Sequence, residues 1–298
     1  MVDDKIYSMV KVYELGSFVA AAKALNLTQP AVSQHIKAIE QEFGVTIFDR
    51  QHGKVQVTIQ GEKILRTALK MIGMENQIVA ELKENTSGPE HLTIGITHTS
   101  ESNPIVEALA SYSASHGDVA LKIITESVPK LYRALEQYEL DFAVVDGRIG
   151  NPELEYITLS ADTLLLMVPS AHPLAGERSV TLERLKQERL ILRLPESGTQ
   201  ELFTAHLKSH NESISDFHVI LETDNVSTIR RLVKLNYGCS ILPKSACMNS
   251  IRDGSITALS IEGLEMKREI LMAYQRDFRY PDALQFIAKK YRQLLETY

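Results

Sequence analysis

At 298 residues the chain exceeds what one hydrophobic core comfortably holds, and it suits two or three domains. Its hydrophobic fraction of 44% and charged fraction of 23% are those of a water-soluble globular protein, and no apolar run approaches the roughly 18–20 residues of a membrane-spanning helix. A net charge of −6 excludes nucleic-acid binding by bulk basicity, so any such binding must come from where a few cations sit.

The opening Met1-Val2-Asp3-Asp4-Lys5 lacks the basic-then-apolar layout of a signal peptide, which predicts a cytoplasmic protein. Ile6, Met9, Val10 and Tyr13 repeat at helical spacing and predict a first amphipathic helix. Gly16-Ser17 ends it, and Ser17 is placed to cap a second helix, Phe18 to Leu25, whose Ala20-Ala21-Ala22 lets another helix approach closely. After the short break Asn26-Leu27-Thr28, Thr28 is placed to cap a third helix, Gln29 to about Phe43. Pro30 is tolerated in its first turn because the missing N–H had no intrahelical acceptor there.

Val32, Ile36, Ile39 and Phe43 of this third helix are expected to face inward. Gln29, Ser33, Gln34 and Lys37 point the other way, and no acid joins them before Glu40. Gln can pair bidentately with adenine and Ser can donate to a base edge or a phosphate, so this face suits a DNA groove. Taken alone, a solvated polar face explains it equally well. Two features favour DNA. The helix–short turn–helix spacing, with Ala at the contact, is helix-turn-helix geometry. The next segment reads as a β-hairpin: Thr46-Ile47-Phe48, a turn about Gln51-His52-Gly53, then alternating Val55-Gln56-Val57-Thr58. Arg50, His52 and Lys54 cluster at its tip. A basic wing beside a polar helix lets a weakly charged head neutralise several phosphates.

These residues resemble the DNA-binding domain of the LysR-type transcriptional regulators. The matching stretches are Gly16-Ser17-Phe18 with Ala21-Ala22 and Leu25, the run from Leu27 through Gln34, Ile36-Lys37 with Glu40, and Gly44, Ile47-Phe48 and Arg50. They continue through Val55, Val57-Thr58 and Gly61. The resemblance implies that Gln29, Pro30, Ser33, Gln34 and Lys37, behind the cap Thr28, face the major groove. It also implies that Arg50 and the wing, with His52 and Lys54, grip the flanking backbone.

From Thr58, placed as an N-cap, helical patterning runs to about Lys83 with an apolar stripe of Leu65, Leu69, Ile72, Ile78, Val79 and Leu82. Such a helix spans roughly 37 Å, too far to bury its stripe on a small domain. Its natural partner is a second copy, coiled-coil fashion, which predicts a two-fold dimer and an approximately palindromic double-stranded DNA site. Packing along its own carboxy-terminal domain is the alternative. The helix ends in the turn-rich Asn85-Thr86-Ser87-Gly88-Pro89.

Beyond this hinge, strand-like runs alternate with helical patterns. The strands are Leu92 to Thr97, Val119 to Ile124, Phe142 to Val145, Leu164 to Val168, Leu190 to Leu194, Phe217 to Leu221, Cys239 to Leu242 and Ile270 to Tyr274. The alternation predicts open α/β sheets that bind ligands beyond the carboxyl ends of their strands. The LysR resemblance, looser here, implies two lobes like a periplasmic binding protein, crossing near Ala161 and returning near Met266, and a homotetramer built as a dimer of dimers. The expected fold class is therefore α plus α/β. It comprises a winged helix-turn-helix domain at 1–60, a linker helix at 61–87 and a two-lobed effector domain at 92–298. Lobe I takes 92–161 and 267–298, and lobe II takes 162–266.

Candidate effector contacts sit at strand ends and helix starts. In Thr97-His98-Thr99-Ser100, hydroxyls and free N–H groups could hold an anion, and the LysR family usually places an effector-binding Ser or Thr here. Ser127 follows the second strand, although Glu126 beside it opposes an anion. Ser197-Gly198-Thr199 and Asn225 open further helices, and Gln200 stands where many relatives carry Arg. Helix capping explains each of these equally well. No Gly-rich phosphate loop, Cys/His metal spacing or catalytic constellation is present, so no enzyme, cofactor or metal is expected. Cys239 and Cys247 are the only cysteines, and no basic neighbour prepares either for redox chemistry. The expected function is a transcriptional regulator modulated by a small-molecule effector between the lobes, with an anionic effector and an RNA polymerase contact left open, and no membrane partner. An enzyme using the same cleft and an effector-free repressor are the competing classes.

Overall fold

Short polar side chains open the first helices and glycines close two of them. Asp3 accepts the Lys5 amide ahead of α1 (Asp4–Leu15), Ser17 the Ala20 amide ahead of α2 (Phe18–Ala24), and Thr28 the Ala31 amide ahead of α3 (Gln29–Phe43). Gly16 and Gly44 end α1 and α3 in the left-handed region, at φ 60° and 65°. The structure, a computed structural model, describes the chain except residues 52–53, 85–89, 118, 149 and 298; at 50, 51, 54, 77, 80, 81, 83, 84 and 90 it describes the backbone alone.

Met9, Val10 and Val12 of α1, Ala21 and Ala22 of α2, and Val32, Ile36 and Ile39 of α3 share one core with Ile47 and Phe48. Two expectations need correction. Phe43 is 59% exposed, because the core ends at Ile39 and the last turn of α3 overruns it. Tyr13 is 44% exposed, and Val12 is the buried residue of that turn. β1 (Phe48–Gln51) and β2 (Lys54–Val57) form an antiparallel hairpin with Gln51 opposite Lys54. The long helix α4 (Ile59–Glu84) follows; Leu65 and Ala68 close the same core.

The chain divides into two compact units, residues 1–88 with 136–139, and 89–135 with 140–298. In order, the second contains β3 (Glu90–Ile96), α5 (Ile105–Ser115), β4 (Val119–Thr125), α6 (Val128–Glu136), β5 (Phe142–Asp146), β6 (Leu154–Pro169), β7 (Ser179–Val180) and α7 (Leu182–Leu185). It continues with β8 (Arg189–Arg193), α8 (Gly198–Ser209), β9 (His218–Thr223), α9 (Val226–Lys234), β10 (Ser240–Pro243), α10 (Lys244–Arg252), β11 (Ile256–Ile261), β12 (Lys267–Gln275) and α11 (Pro281–Thr297).

The sheet order is β4-β3-β5-β12-β6-β11-β7, with β10 also on β6 and β8-β9 as a separate parallel pair. β6 carries the chain between lobes: Leu154 to Thr163 pair with β12, and Leu164 to Pro169 pair with β10 and β11. Each lobe holds two clusters of buried apolar side chains. In the first, Leu92, Ile94, Leu109, Phe142, Met272 and Ile287 pack in one, and Leu131, Leu135, Val145 and Leu271 in the other. In the second, Leu166, Val168, Phe203, Leu207, Ile241 and Leu259 pack in one, and Met167, Ile229, Val233 and Leu242 in the other. Among the described residues no helix is long and apolar enough to cross a membrane.

Candidate nucleic-acid face and ligand cleft

On α3, Gln29, Pro30, Gln34 and Lys37 are exposed and Ser33 is half-buried. Gln29 Nε2 donates to Ser33 Oγ at 2.8 Å, one turn along the same face. Ser8 Oγ lies 2.7 Å from His35 Nδ1 and ties α1 to the opposite side of α3. Glu40 does not crowd the polar face. Its Oε1 accepts the Ile47 amide at 2.7 Å and the Phe48 amide at 3.4 Å, so the acid is spent on the turn into the hairpin. Thr58 closes the other end, donating to the Thr46 carbonyl at 2.6 Å and accepting the Gly61 amide at 2.9 Å. A Cβ at Gly61 would lie 2.4 Å from the Ile47 carbonyl oxygen, so that close approach requires glycine. The side chains of Arg50 and Lys54, and the whole of His52, lie outside the described residues.

In the second unit the carboxyl ends of β3, β4, β5 and β8 converge with the start of α8 on a cavity of about 600 Å³. Thr97, His98, Thr99, Ser127, Ser197, Gly198 and Thr199 line it, so most of the expected effector contacts are brought together. Ser100 and Asn225 are not on its wall. Ser100 is fully buried with its Oγ 3.0 Å from the Thr97 hydroxyl, and Asn225 caps α9 by accepting the Thr228 amide at 2.7 Å. Ser197 likewise caps α8, accepting the Gln200 amide at 3.2 Å.

The electrostatic centre of the cleft is one that sequence reasoning missed. Thr97 Oγ1, at 3.0 Å, and Thr99 Oγ1 both donate to Asp146 Oδ2. Arg268 reaches the same oxygen at 3.3 Å, with the Arg and Asp side chains only 7% and 5% exposed, and lies 3.5 Å from Thr199 Oγ1. Arg193, 4% exposed, also lines the cavity. Burial, and then the charge of Arg268, pull its pKa down. Near the rim, Lys130 pairs with Glu126 at 2.9 Å, and that hydrogen bond holds the Glu126 carboxyl below its ordinary value. The available signal was a charge closing each of two buried strands, Phe-Ala-Val-Val-Asp146 and Arg189-Leu-Ile-Leu-Arg193.

A second cluster was also invisible to spacing. His172 Nε2 lies 3.3 Å from Glu188 Oε2 and 3.8 Å from Cys239 Sγ. His172 Nδ1 accepts the Leu174 amide at 3.2 Å, which leaves the ring proton on Nε2, facing Glu188. That is a hydrogen-bonded brace, since a metal would need the Nε2 lone pair. Burial pushes the Cys239 and Cys247 thiols up to about 12, which suits inert packing.

The family described as bacterial regulatory helix-turn-helix protein, lysR family, matches residues 4–62, and the LysR substrate binding domain matches residues 86–289. An uncharacterised HTH-type transcriptional regulator of Methanocaldococcus jannaschii is 28% identical over 269 residues, covering 90% of each chain. Full-length OxyR of Pseudomonas aeruginosa shares the fold with a TM-score of 0.64 at 22% identity, over 98% of this chain and 95% of that one. CbnR, solved in complex with its target DNA, shares it with a TM-score of 0.62 at 18% identity, over 98% and 99%.

Proposed function

The chain belongs to the LysR family of DNA-binding transcriptional regulators, and from that premise we propose which of its residues meet DNA and effector. The division is a winged head at 1–60, a linker helix at 61–87 and an effector domain at 92–298, with lobes at 92–161 plus 267–298 and at 162–266. Gln29, Pro30, Ser33, Gln34 and Lys37, behind the cap Thr28, read the major groove, while Arg50, His52 and Lys54 hold the flanking phosphates. An exposed, acid-free face on α3, with Glu40 turned into the wing, supports this. Along α4, Met71, Met74, Ile78 and Leu82 form an exposed apolar stripe at helical spacing, suited to pairing with a second copy. Two such heads call for an approximately palindromic site, and pairs of dimers for a homotetramer acting in the cytoplasm, with RNA polymerase as a candidate partner.

The effector is a small molecule with an anionic group, held in the cleft by Thr97, His98, Thr99, Ser127, Ser197, Gly198 and Thr199. Ser100, expected with them, acts through its hydrogen bond to Thr97, and Asn225 through its cap on α9. One observation carries the reading: the hydroxyls of Thr97, Thr99, Ser127, Ser197 and Thr199 and the buried Arg193 line one ligand-sized cavity. Footprinting of the promoter beside its own gene, with and without metabolite pools, tests it. Thr99→Ala should blunt the effector response while operator affinity survives. Loss of both together points to a misfolded variant, and an unchanged response removes the cleft from consideration.

A further inference from the structure

Glycine inside a helix destabilises it relative to alanine, because more backbone freedom is lost on folding. The 26-residue α4 nevertheless carries Gly73 near its middle, and Gly73 is buried. A Cβ there would lie 1.8 Å from the Gln137 carbonyl oxygen and 2.9 Å from the Tyr138 Cβ, so the backbone of a turn rests directly on that of the helix. Residues 136–139 group with the first unit, although they join α6 to β5 of the second. Tyr138 holds the left-handed conformation in this turn, at φ 56°, which a residue with a side chain adopts at a cost.

The two elements that the turn joins are bound into one stiff piece. Leu131 and Leu135 of α6 pack with Ala143 and Val145 of β5. The Tyr132 hydroxyl donates to the Gly147 carbonyl at 3.1 Å, and Gln275 Nε2 donates to the Leu135 carbonyl at 2.7 Å. The far end of this piece is the cleft. Val128, Pro129 and Lys130 at the start of α6, and Asp146 at the end of β5, all line the cavity. The nine residues of α6 span about 13 Å from that wall to the turn.

We propose that α6 and β5 act as a lever whose outer end, the 136–139 turn, bears on α4 at Gly73 and passes changes at the cleft to the linker helix. This deepens the cleft reading and rests on it. Coupling between two sites is reciprocal, so DNA held by the head must act back on the lever. That allows a test without an effector.

Hydrogen exchange read by mass spectrometry on the full chain, with and without duplex DNA from the promoter beside its own gene, follows both ends at once. In the wild-type chain, DNA is expected to slow exchange on α3 and to change it in α6 and β5 by about fivefold or more. Gly73→Ala favours the helix but drives a methyl into the Gln137 carbonyl, so the turn must lift away. Protection of α3 should then remain while the change in α6 and β5 disappears. A Gly-Gly insertion after Tyr138 slackens the turn with no added bulk against α4, and the same loss is expected. Exchange in α6 and β5 that ignores bound DNA in the wild-type chain overturns the proposal, as does a change that survives either alteration. Failure of the cleft reading has a different signature, an effector response in cells that Thr99→Ala leaves intact.

Discussion

Glu40 accepts two amides at the entry to the hairpin, a role that helical periodicity cannot assign because its partners, Ile47 and Phe48, lie beyond the helix end. Glu40→Ala should cost the head about 1.5–3 kcal/mol, read as a shift of its urea midpoint, whereas Glu40→Gln keeps an acceptor and should cost less. Gln34 is the contrasting case, exposed and bonded to nothing described within the chain. Gln34→Ala should leave the melting temperature alone and lower discrimination between operator and random duplex by about 1–3 kcal/mol in competition binding. Asp162 adds a pH signature. Burial raises its carboxyl above the ordinary value, outweighing the Ser245 hydrogen bonds and Arg268 that pull it down. Such an acid binds its proton more readily folded than unfolded, so the fold gains stability as pH falls through that raised value and loses it as pH rises. Asp162→Asn should therefore stabilise the chain at neutral pH, with the advantage closing near pH ~4; an advantage that widens on acidification contradicts this account. The hydroxyls of the cleft were legible because strand-end and helix-start chemistry is local. Asp146, Arg193 and Arg268 were not, since a charge on a strand acquires meaning only when distant strands bring others beside it.

Helix α4 was readable almost to the residue, expected from Thr58 to about Lys83 and found at Ile59–Glu84, because twenty-odd residues of one period outweigh any local ambiguity. Strand β6 was half missed. Its first part, Leu154 to Thr163, carries Glu155, Ser160 and Asp162, and it is a strand because β12, more than a hundred residues away, pairs with it. β7, of only two residues, and β11 were missed for a similar reason: each is anchored by a partner remote in sequence. Where α4 meets the hairpin, Gly61→Ala would push a methyl against the Ile47 carbonyl, and the expected loss is about 1–3 kcal/mol of head stability in thermal melts. Farther along α4, Ile78 and Leu82 are 52% and 68% exposed, more apolar surface than an isolated helix face ordinarily leaves to water. The double substitution Ile78→Glu with Leu82→Glu should turn the proposed dimer into monomers in sedimentation runs while the effector domain keeps its own melting transition. Sedimentation unchanged by both charges would place the dimer contact elsewhere.

Across the whole molecule, the proposed recognition face on one unit and the cleft on the other share no residue, so coupling between them requires a change in the arrangement of units or of copies of the chain. Arrangement is testable on the DNA alone. If two heads of a two-fold dimer engage two half-sites together, their spacing must match the helical repeat of about 10.5 base pairs. Inserting about 5 base pairs at the centre of the operator turns one half-site to the opposite face and should remove cooperative binding. Inserting about 10 restores the face and should recover part of the affinity, the remainder being lost to the added distance. Mobility shifts with the three operators at fixed salt separate the cases, since salt by itself moves phosphate-driven affinity steeply. Equal affinity for all three would mean that each head binds alone, and the exposed stripe of α4 would then need another partner than its own copy.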